Sequence, residues 1–194
     1  NPQSYTAVEL DRAAATALRE RFGDACEIRV GNAGNTDLEP QSADVVYGEA
    51  MVTLQPDDGK AEIFAEAARL LRPGGRYGIH ELGLIPDDIA PATKTAIYDD
   101  LAEVTRVNSR PLTESEWIDR LAAAGFDVTW IGRAPMALLS PRRVVADEGL
   151  LGTLKFGYNV LTTPAARRRI RAMRSVLARY DEQLNAIAVV AEPQ

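Results

Sequence analysis

Short apolar runs alternate with helix-period patterns through the first two thirds of the chain. The predicted strands are Tyr5–Leu10, Glu27–Val30, Ala43–Gly48, Arg76–Leu82, Phe126–Ile131 and Leu184–Ala191. The helical patterns between them cover residues 12–22, 58–71, 89–107 and 113–124. Strands that alternate with helices in this way are typical of βαβ units. The pattern therefore predicts an α/β fold, a three-layer doubly wound sheet that is mostly parallel, with the third strand fully buried.

Local signals mark several helix boundaries. Asp11 precedes the first helix as a cap, and Gly23 follows its end. Thr113 and Glu116 have the spacing of a capping box, and Gly125 ends the helix that they begin. Each of these boundaries is expected in the folded protein.

A long excursion, residues 132–183, separates the fifth predicted strand from the last. Thr163 and Pro164 begin an amphipathic helix within it, a common arrangement at a first helical turn. We expect one domain over residues 1–194, with this excursion as a helical insertion before a final antiparallel strand. Together with the helix over residues 89–107, the insertion is predicted to form a lid over the carboxyl edge of the sheet.

Composition narrows the range of functions. The 194 residues include 22 Lys and Arg against 28 Asp and Glu, a net charge of −6, which argues against a nucleic-acid partner. Cys26 and His80 are the only residues of their types, so a disulfide scaffold and a His/Cys zinc site are excluded and no metal is expected. No apolar run approaches the ~18 residues that span a bilayer. The chain is expected to be soluble and cytoplasmic, and its preference for Arg over Lys suggests a bacterial source.

The residues at the strand ends carry the functional argument, because ligands of open α/β sheets bind at the carboxyl ends of strands. These residues are Glu9, Gly31–Asn32–Ala33, Gly48–Glu49–Ala50 and His80–Glu81. A carboxylate at the position of Glu9 can accept both hydroxyls of a ribose. The alternative is an ordinary acid at the end of a strand.

Several short segments occur in the same order as the motifs of a known family. Gly31-Asn32-Ala33, then Leu38, then Ala43-Asp44-Val45-Val46 stand where a known family has "GDA…LP…FD", and Leu70-Leu71-Arg72-Pro73-Gly74-Gly75 reproduces its "LLRPGG". In these segments the chain resembles the class I S-adenosylmethionine-dependent methyltransferases. The resemblance implies S-adenosylmethionine as cofactor and a methyltransferase activity.

The same resemblance assigns the cofactor-binding residues. Glu9, with Leu10, would hold the ribose, and Asn32 and Ala33 would lie beside the adenine. The family usually has Asp where Asn32 stands, but an amide oxygen can accept the same hydrogen bond. Alternatively, Asn32 is only a turn residue. Gly48 and Glu49 would face the ribose and the methionine part.

The family pattern also implies a strand with a glycine-rich loop shortly before Glu9, and residues 1–4 do not supply it. We therefore expect a methyltransferase domain that is N-terminally incomplete and binds S-adenosylmethionine weakly by itself.

Acceptor binding is the least specified part of the prediction. Glu49, His80 and Glu81 are expected to surround a small-molecule or lipid-like acceptor, with His80 and Glu49 as catalytic residues and a purely structural His80 as the alternative. A second hypothesis is an NAD-type oxidoreductase, and a third is a catalytically silent cofactor-binding or scaffolding protein. The arginines over Arg167–Arg174 form either a solvated helix face or a binding site for an anionic partner. A homodimer is left open.

Overall fold

The computed structural model describes residues 2–136 and 163–194. Its first unit is a small parallel sheet with one helix. Strand β1 (Thr6–Glu9) pairs with β2 (Glu27–Val30), with Thr6 opposite Glu27 and Glu9 opposite Val30. Helix α1 (Arg12–Phe22) joins the two strands.

The larger sheet contains five strands. They are β3 (Ala43–Glu49), β4 (Leu71–Leu84), β5 (Leu112–Thr113), β6 (Phe126–Pro135) and β7 (Leu184–Pro193). The main path runs β3-β4-β7-β6, with β5 beside β4. Strand β7 is antiparallel to both of its neighbours, whereas β3 and β5 are parallel to β4. The predicted final antiparallel strand is thus confirmed.

Helices α2 (Asp57–Leu70) and α4 (Glu114–Ala123) cover one face of the larger sheet. Alternate residues in the middle of β4 and β7 point into this core, namely Tyr77 and Ile79 of β4 and Ile187, Val189 and Ala191 of β7. Trp117 is fully buried there, 6.5 Å from the ring of Phe64. This core is the main apolar cluster of the described residues and fixes the sheet from which the candidate site projects.

Helices α3 (Pro91–Thr105) and α5 (Pro164–Arg179) form a second packed pair. Their apolar residues meet the ends of β4 and β7 in a separate cluster that contains Leu84, Ile97, Leu101, Val176 and Leu184. Asp100 of α3 accepts hydrogen bonds from Arg179 at 2.7 Å and from the Tyr180 hydroxyl at 2.8 Å. Half of the predicted insertion, residues 137–162, lies outside the described residues, so its role as a lid stays a prediction.

The predicted helix caps are confirmed. The Asp11 side chain accepts the Ala14 N–H at 2.7 Å, and Thr113 and Glu116 form the reciprocal capping box. Gly23 and Gly125 have positive φ angles of 53° and 82° at the helix ends that they were expected to mark. Local hydrogen bonding decides these features, which is why the sequence predicts them well.

The structure differs from the strand prediction at three points. The third strand is not fully buried, because β3 is the edge of its sheet in the described part of the chain, with Val45 63% exposed. The sheet is also divided in two, since none of the described residues bridges β1 and β3 in a ladder. Strand β5 was not predicted; its two residues merge with the capping sequence of α4.

None of the described helices has both the length and the apolar character needed to cross a bilayer.

Acid is expected to destabilise the protein through Glu66. The Arg69 guanidinium, with the N–H and hydroxyl of Thr36, lowers the pKa of this buried carboxyl from 4.5 to about 2. A lowered folded-state pKa gives stability that is present above about pH 4.5 and is lost as the pH falls toward 2, up to about 3 kcal/mol. Urea unfolding of the protein between pH 5 and pH 2.5 measures the loss. Glu66→Gln should show a smaller decline, and equal declines would contradict the assignment.

Candidate functional site

Glu9 lies at the carboxyl end of β1, directly before the N-terminus of α1. Its Oε1 atom accepts the Asp11 N–H at 2.9 Å, and its carbonyl oxygen accepts the Gly31 N–H at 3.0 Å. The second carboxylate oxygen, Oε2, has no hydrogen-bond partner among residues 2–136 and 163–194. Leu10, next to it, is 72% exposed. This strand end therefore presents a half-buried carboxylate in which Oε2 and the second lone pair of Oε1 can each accept a hydrogen bond from a ligand.

The loop after β2 is anchored to the larger sheet. Thr36 donates its N–H at 2.9 Å to Glu66 of α2, and the Arg69 guanidinium donates to the Leu38 carbonyl at 2.7 Å. Ala33 packs against the main core. The loop therefore fixes the end of the small sheet, where Glu9 lies, relative to the larger one.

Asn32 forms a turn with its own backbone. Its Oδ1 atom accepts the Gly34 N–H at 2.9 Å, and its carbonyl accepts the Asn35 N–H at 2.9 Å. An amide oxygen has a second lone pair, and the Asn32 NH₂ group adds two donors. The turn role that the sequence left open is thus present, and the Asn32 side chain keeps hydrogen-bonding capacity for a ligand.

A second group of predicted residues meets at the end of β3. Glu49 lies opposite His80 across the β3–β4 ladder, and the Glu49 Oε1 and His80 Nδ1 atoms are 3.3 Å apart. Both side chains are more than half exposed. At Gly48, a Cβ atom would lie 3.0 Å from the Met51 sulfur, so the following turn packs closely against the strand. The structure thus brings Gly48, Glu49 and His80 together.

Glu81 does not join them. Strand alternation turns it to the opposite face of β4, where it is 3% exposed. Its carboxylate accepts the backbone N–H groups of Met51, Val52 and Thr53 at 3.0, 2.8 and 3.1 Å. Both oxygens are therefore occupied, and Glu81 is not available for the substrate contact that its place at a strand end had suggested.

An open apolar surface flanks the Glu49–His80 pair. A shallow cavity of about 240 Å³ lies across β3, β4 and β7 and is lined by Tyr47, Gly78, Ala188 and Val190, among others. Trp130 on β6 is 55% exposed and lies over Gly132 on the same face. Sequence reasoning missed this surface, because small and aromatic residues in a strand are equally typical of a buried core.

The small and large sheets touch through two tyrosines. The hydroxyl of Tyr5, just before β1, is hydrogen-bonded to that of Tyr47 on β3, with the ring centroids 6.2 Å apart. Burial, together with the hydrogen bond to Tyr47, raises the pKa of Tyr5 to about 12. The Tyr5 hydroxyl therefore stays protonated at neutral pH, and the contact joins the sheet of Glu9 to that of Glu49.

Comparisons with known proteins give matches in both sequence and fold. A family model described as a methyltransferase domain matches residues 1–75. The fold is similar over 97% of the chain to phosphoethanolamine N-methyltransferase 2 of Haemonchus contortus, with a TM-score of 0.67 and 18% identity over 44% of that protein. Residues 1–75 therefore match a methyltransferase domain, and the chain as a whole has the fold of methyltransferases of known structure.

Other proteins similar to this chain agree with that fold. A geranyl diphosphate methyltransferase aligns over 98% of the chain and 69% of its own, with a TM-score of 0.66 and 17% identity. An uncharacterized protein of Haemophilus influenzae is 29% identical over 178 residues, which are 92% of this chain and 67% of that protein. The predicted doubly wound methyltransferase fold is therefore confirmed.

Proposed function

We propose that the protein transfers a methyl group from S-adenosylmethionine to a small-molecule or lipid-like acceptor. The observation that carries the proposal is the Glu9 carboxylate, whose Oε2 atom is unoccupied within the described chain at a strand end of a methyltransferase fold. The structural neighbours support the cofactor, since the Haemonchus enzyme was solved with S-adenosylhomocysteine and the geranyl diphosphate enzyme with S-adenosylmethionine. No comparison supports an NAD-type oxidoreductase.

The residues present suit the cofactor. Glu9 would accept the ribose hydroxyls, and the Asn32 amide, with Ala33 beside it, would meet the adenine edge. Gly48 and Glu49 would lie toward the methionine part. When bound, S-adenosylmethionine supplies an electrophilic methyl group, so the task of the chain is mainly to align an acceptor and exclude water.

Glu49 and His80 are proposed to handle a proton of the acceptor. An Nδ1–H donated to Glu49 would leave Nε2 as a hydrogen-bond acceptor and base. The apolar surface around Tyr47 and Val190 would suit a hydrophobic part of the acceptor. The Haemonchus neighbour was solved with phosphomonomethylethanolamine, and the other neighbour is named for geranyl diphosphate. Both compounds have small-molecule or lipid-like character, which supports an acceptor of that class.

A further strand with a glycine-rich loop is proposed to complete the sheet. Among residues 2–136 and 163–194, β1 pairs only with β2 and β3 only with β4, so each has an unpaired edge. Unpaired edges of this kind are usually covered in native proteins. The exposed Val45 and Tyr47 of β3 support a cover at this place.

Calorimetric titration of the complete protein tests the proposed function. We expect S-adenosylhomocysteine to bind and NAD to give no signal, because Glu9 and Asn32 are the residues of a nucleoside site in a methyltransferase fold. Binding of NAD alone, or of neither compound, would overturn the proposal. A screen of amine, hydroxyl and phospholipid-like acceptors with labelled cofactor then identifies the acceptor class.

A further inference from the structure

The turn that follows β3 is held under backbone strain. Ala50 has a φ angle of 51°, a left-handed conformation that residues with a Cβ atom rarely adopt. Its N–H donates to the His80 carbonyl at 2.8 Å. Because Glu49 comes directly before Ala50, the conformation of this turn decides where the Glu49 carboxylate stands relative to the His80 ring.

Glu81 holds the turn from the buried side of the sheet. Its carboxylate accepts three successive backbone N–H groups, those of Met51, Val52 and Thr53. Hydrogen bonds to an ionised group are stronger than neutral ones, and here they are removed from water. His80 and Glu81 are adjacent on β4, so one strand presents the imidazole on one face and fixes the turn on the other.

Lys60 of α2 holds the far end of the same connection. It is fully buried, and its Nζ donates to the Gln55 carbonyl, 3.9 Å from the Asp57 carboxylate. Burial lowers the pKa of Lys60, while Asp57 opposes that shift. A buried charge is costly unless it is paired and hydrogen-bonded, as Lys60 is by Asp57 and the Gln55 carbonyl.

The turn also contacts the segment after α3. The Arg110 N–H donates to the Thr53 carbonyl at 2.8 Å, so the peptide groups around Thr53 are bound on one side by Glu81 and on the other by the chain leaving α3. The turn that Glu81 holds is therefore also bound to the segment that follows α3.

We propose that Glu81 is a positioning residue that holds the turn over residues 49–54 in its strained conformation and thereby sets the Glu49–His80 pair. Its effect on methyl transfer rests on the proposed function; its effect on the geometry of the pair does not. Glu81 acts through the turn and does not touch the acceptor.

Glu81→Gln tests the proposal without any ligand. His80 is the only histidine, so the imidazole Cε1–H gives one resolvable NMR signal. We expect that signal to move in Glu81→Gln toward its position in Glu49→Gln, which removes the carboxylate partner directly. The amide protons of Met51–Thr53 should exchange about tenfold faster or more, because a charged acceptor is lost. Once an acceptor is known, the kcat of Glu81→Gln should fall while its affinity for S-adenosylhomocysteine stays within about twofold of the wild type.

Glu116→Gln is the matched control. Glu116 also accepts a backbone N–H, that of Thr113 at 2.9 Å, but it caps α4 away from the turn. This variant should leave the His80 signal and the exchange of the turn amides unchanged. If Glu81→Gln does not fold, Glu81→Asp replaces it, because the shorter side chain withdraws the carboxylate from the same three N–H groups and should move the His80 signal in the same direction.

An unmoved His80 signal in a folded Glu81→Gln protein, or in Glu81→Asp where that variant replaces it, overturns the inference. An equal movement in Glu116→Gln also does so, because it would show a general loss of structure. Absence of cofactor binding in the wild-type protein would instead contradict the proposed function and leave the NMR and exchange results standing.

Discussion

Replacing Trp117 by alanine is expected to lower the free energy of unfolding by about 3–5 kcal/mol. Trp117 is fully buried and packs against Phe64 between α4 and the larger sheet. Alanine would leave a cavity at the centre of the main core, because the surrounding rings belong to helices and strands that cannot collapse into it. Urea unfolding followed by far-ultraviolet circular dichroism measures the change without relying on tryptophan emission.

Two further variants make the Trp117 test specific. Trp130→Ala removes the same side chain at a 55% exposed position and should cost less than about 1 kcal/mol. Trp117→Phe should cost less than half as much as Trp117→Ala, because the Trp117 Nε1–H is buried without a partner in the described residues and its removal relieves that cost. If Trp117→Ala proved as mild as Trp130→Ala, the main core would be wrongly placed.

Local chemistry explains what the sequence predicted correctly about the fold. Asp11, Thr113 and Glu116 form the expected caps, since a cap needs only side-chain oxygens within three residues of an N–H. The exposure of Val45 could not be predicted in the same way. An apolar strand is buried or exposed according to which strand lies beside it, and that depends on residues distant in sequence.

The candidate site likewise has a part that the strand pattern predicts and a part that it does not. The pairing of Glu49 with His80 follows from two parallel strands ending together, which the strand pattern implies. Glu81 was grouped with them because it follows His80, although the two-residue period of a strand already places adjacent side chains on opposite faces. The three N–H groups that Glu81 accepts belong to a turn whose strained Ala50 carries no sequence signal.

The largest functional effect is expected from Glu9→Ala, which should weaken the binding of S-adenosylhomocysteine to the complete protein about 100-fold. A ribose held by both hydroxyls makes two charge-assisted hydrogen bonds to the carboxylate, each worth ~1.5–3 kcal/mol before water compensates. The Asp11 N–H, which Glu9 Oε1 now accepts, would lose that partner but can reach water at this exposed position. Calorimetric titration measures the change in affinity.

Glu27→Ala is the control for this prediction, since Glu27 belongs to the same small sheet but its carboxylate is half exposed and paired with Arg29 at 2.8 Å. The affinity of Glu27→Ala for S-adenosylhomocysteine should stay within about twofold of the wild type, because a surface ion pair contributes little. Glu9→Gln should fall between the two, since its amide oxygen accepts one ribose hydroxyl but its NH₂ group cannot accept the other. Unchanged affinity in a folded Glu9→Ala protein would remove Glu9 from the site, and the cofactor would then have to be held by the Asn32 loop and the end of β3 alone.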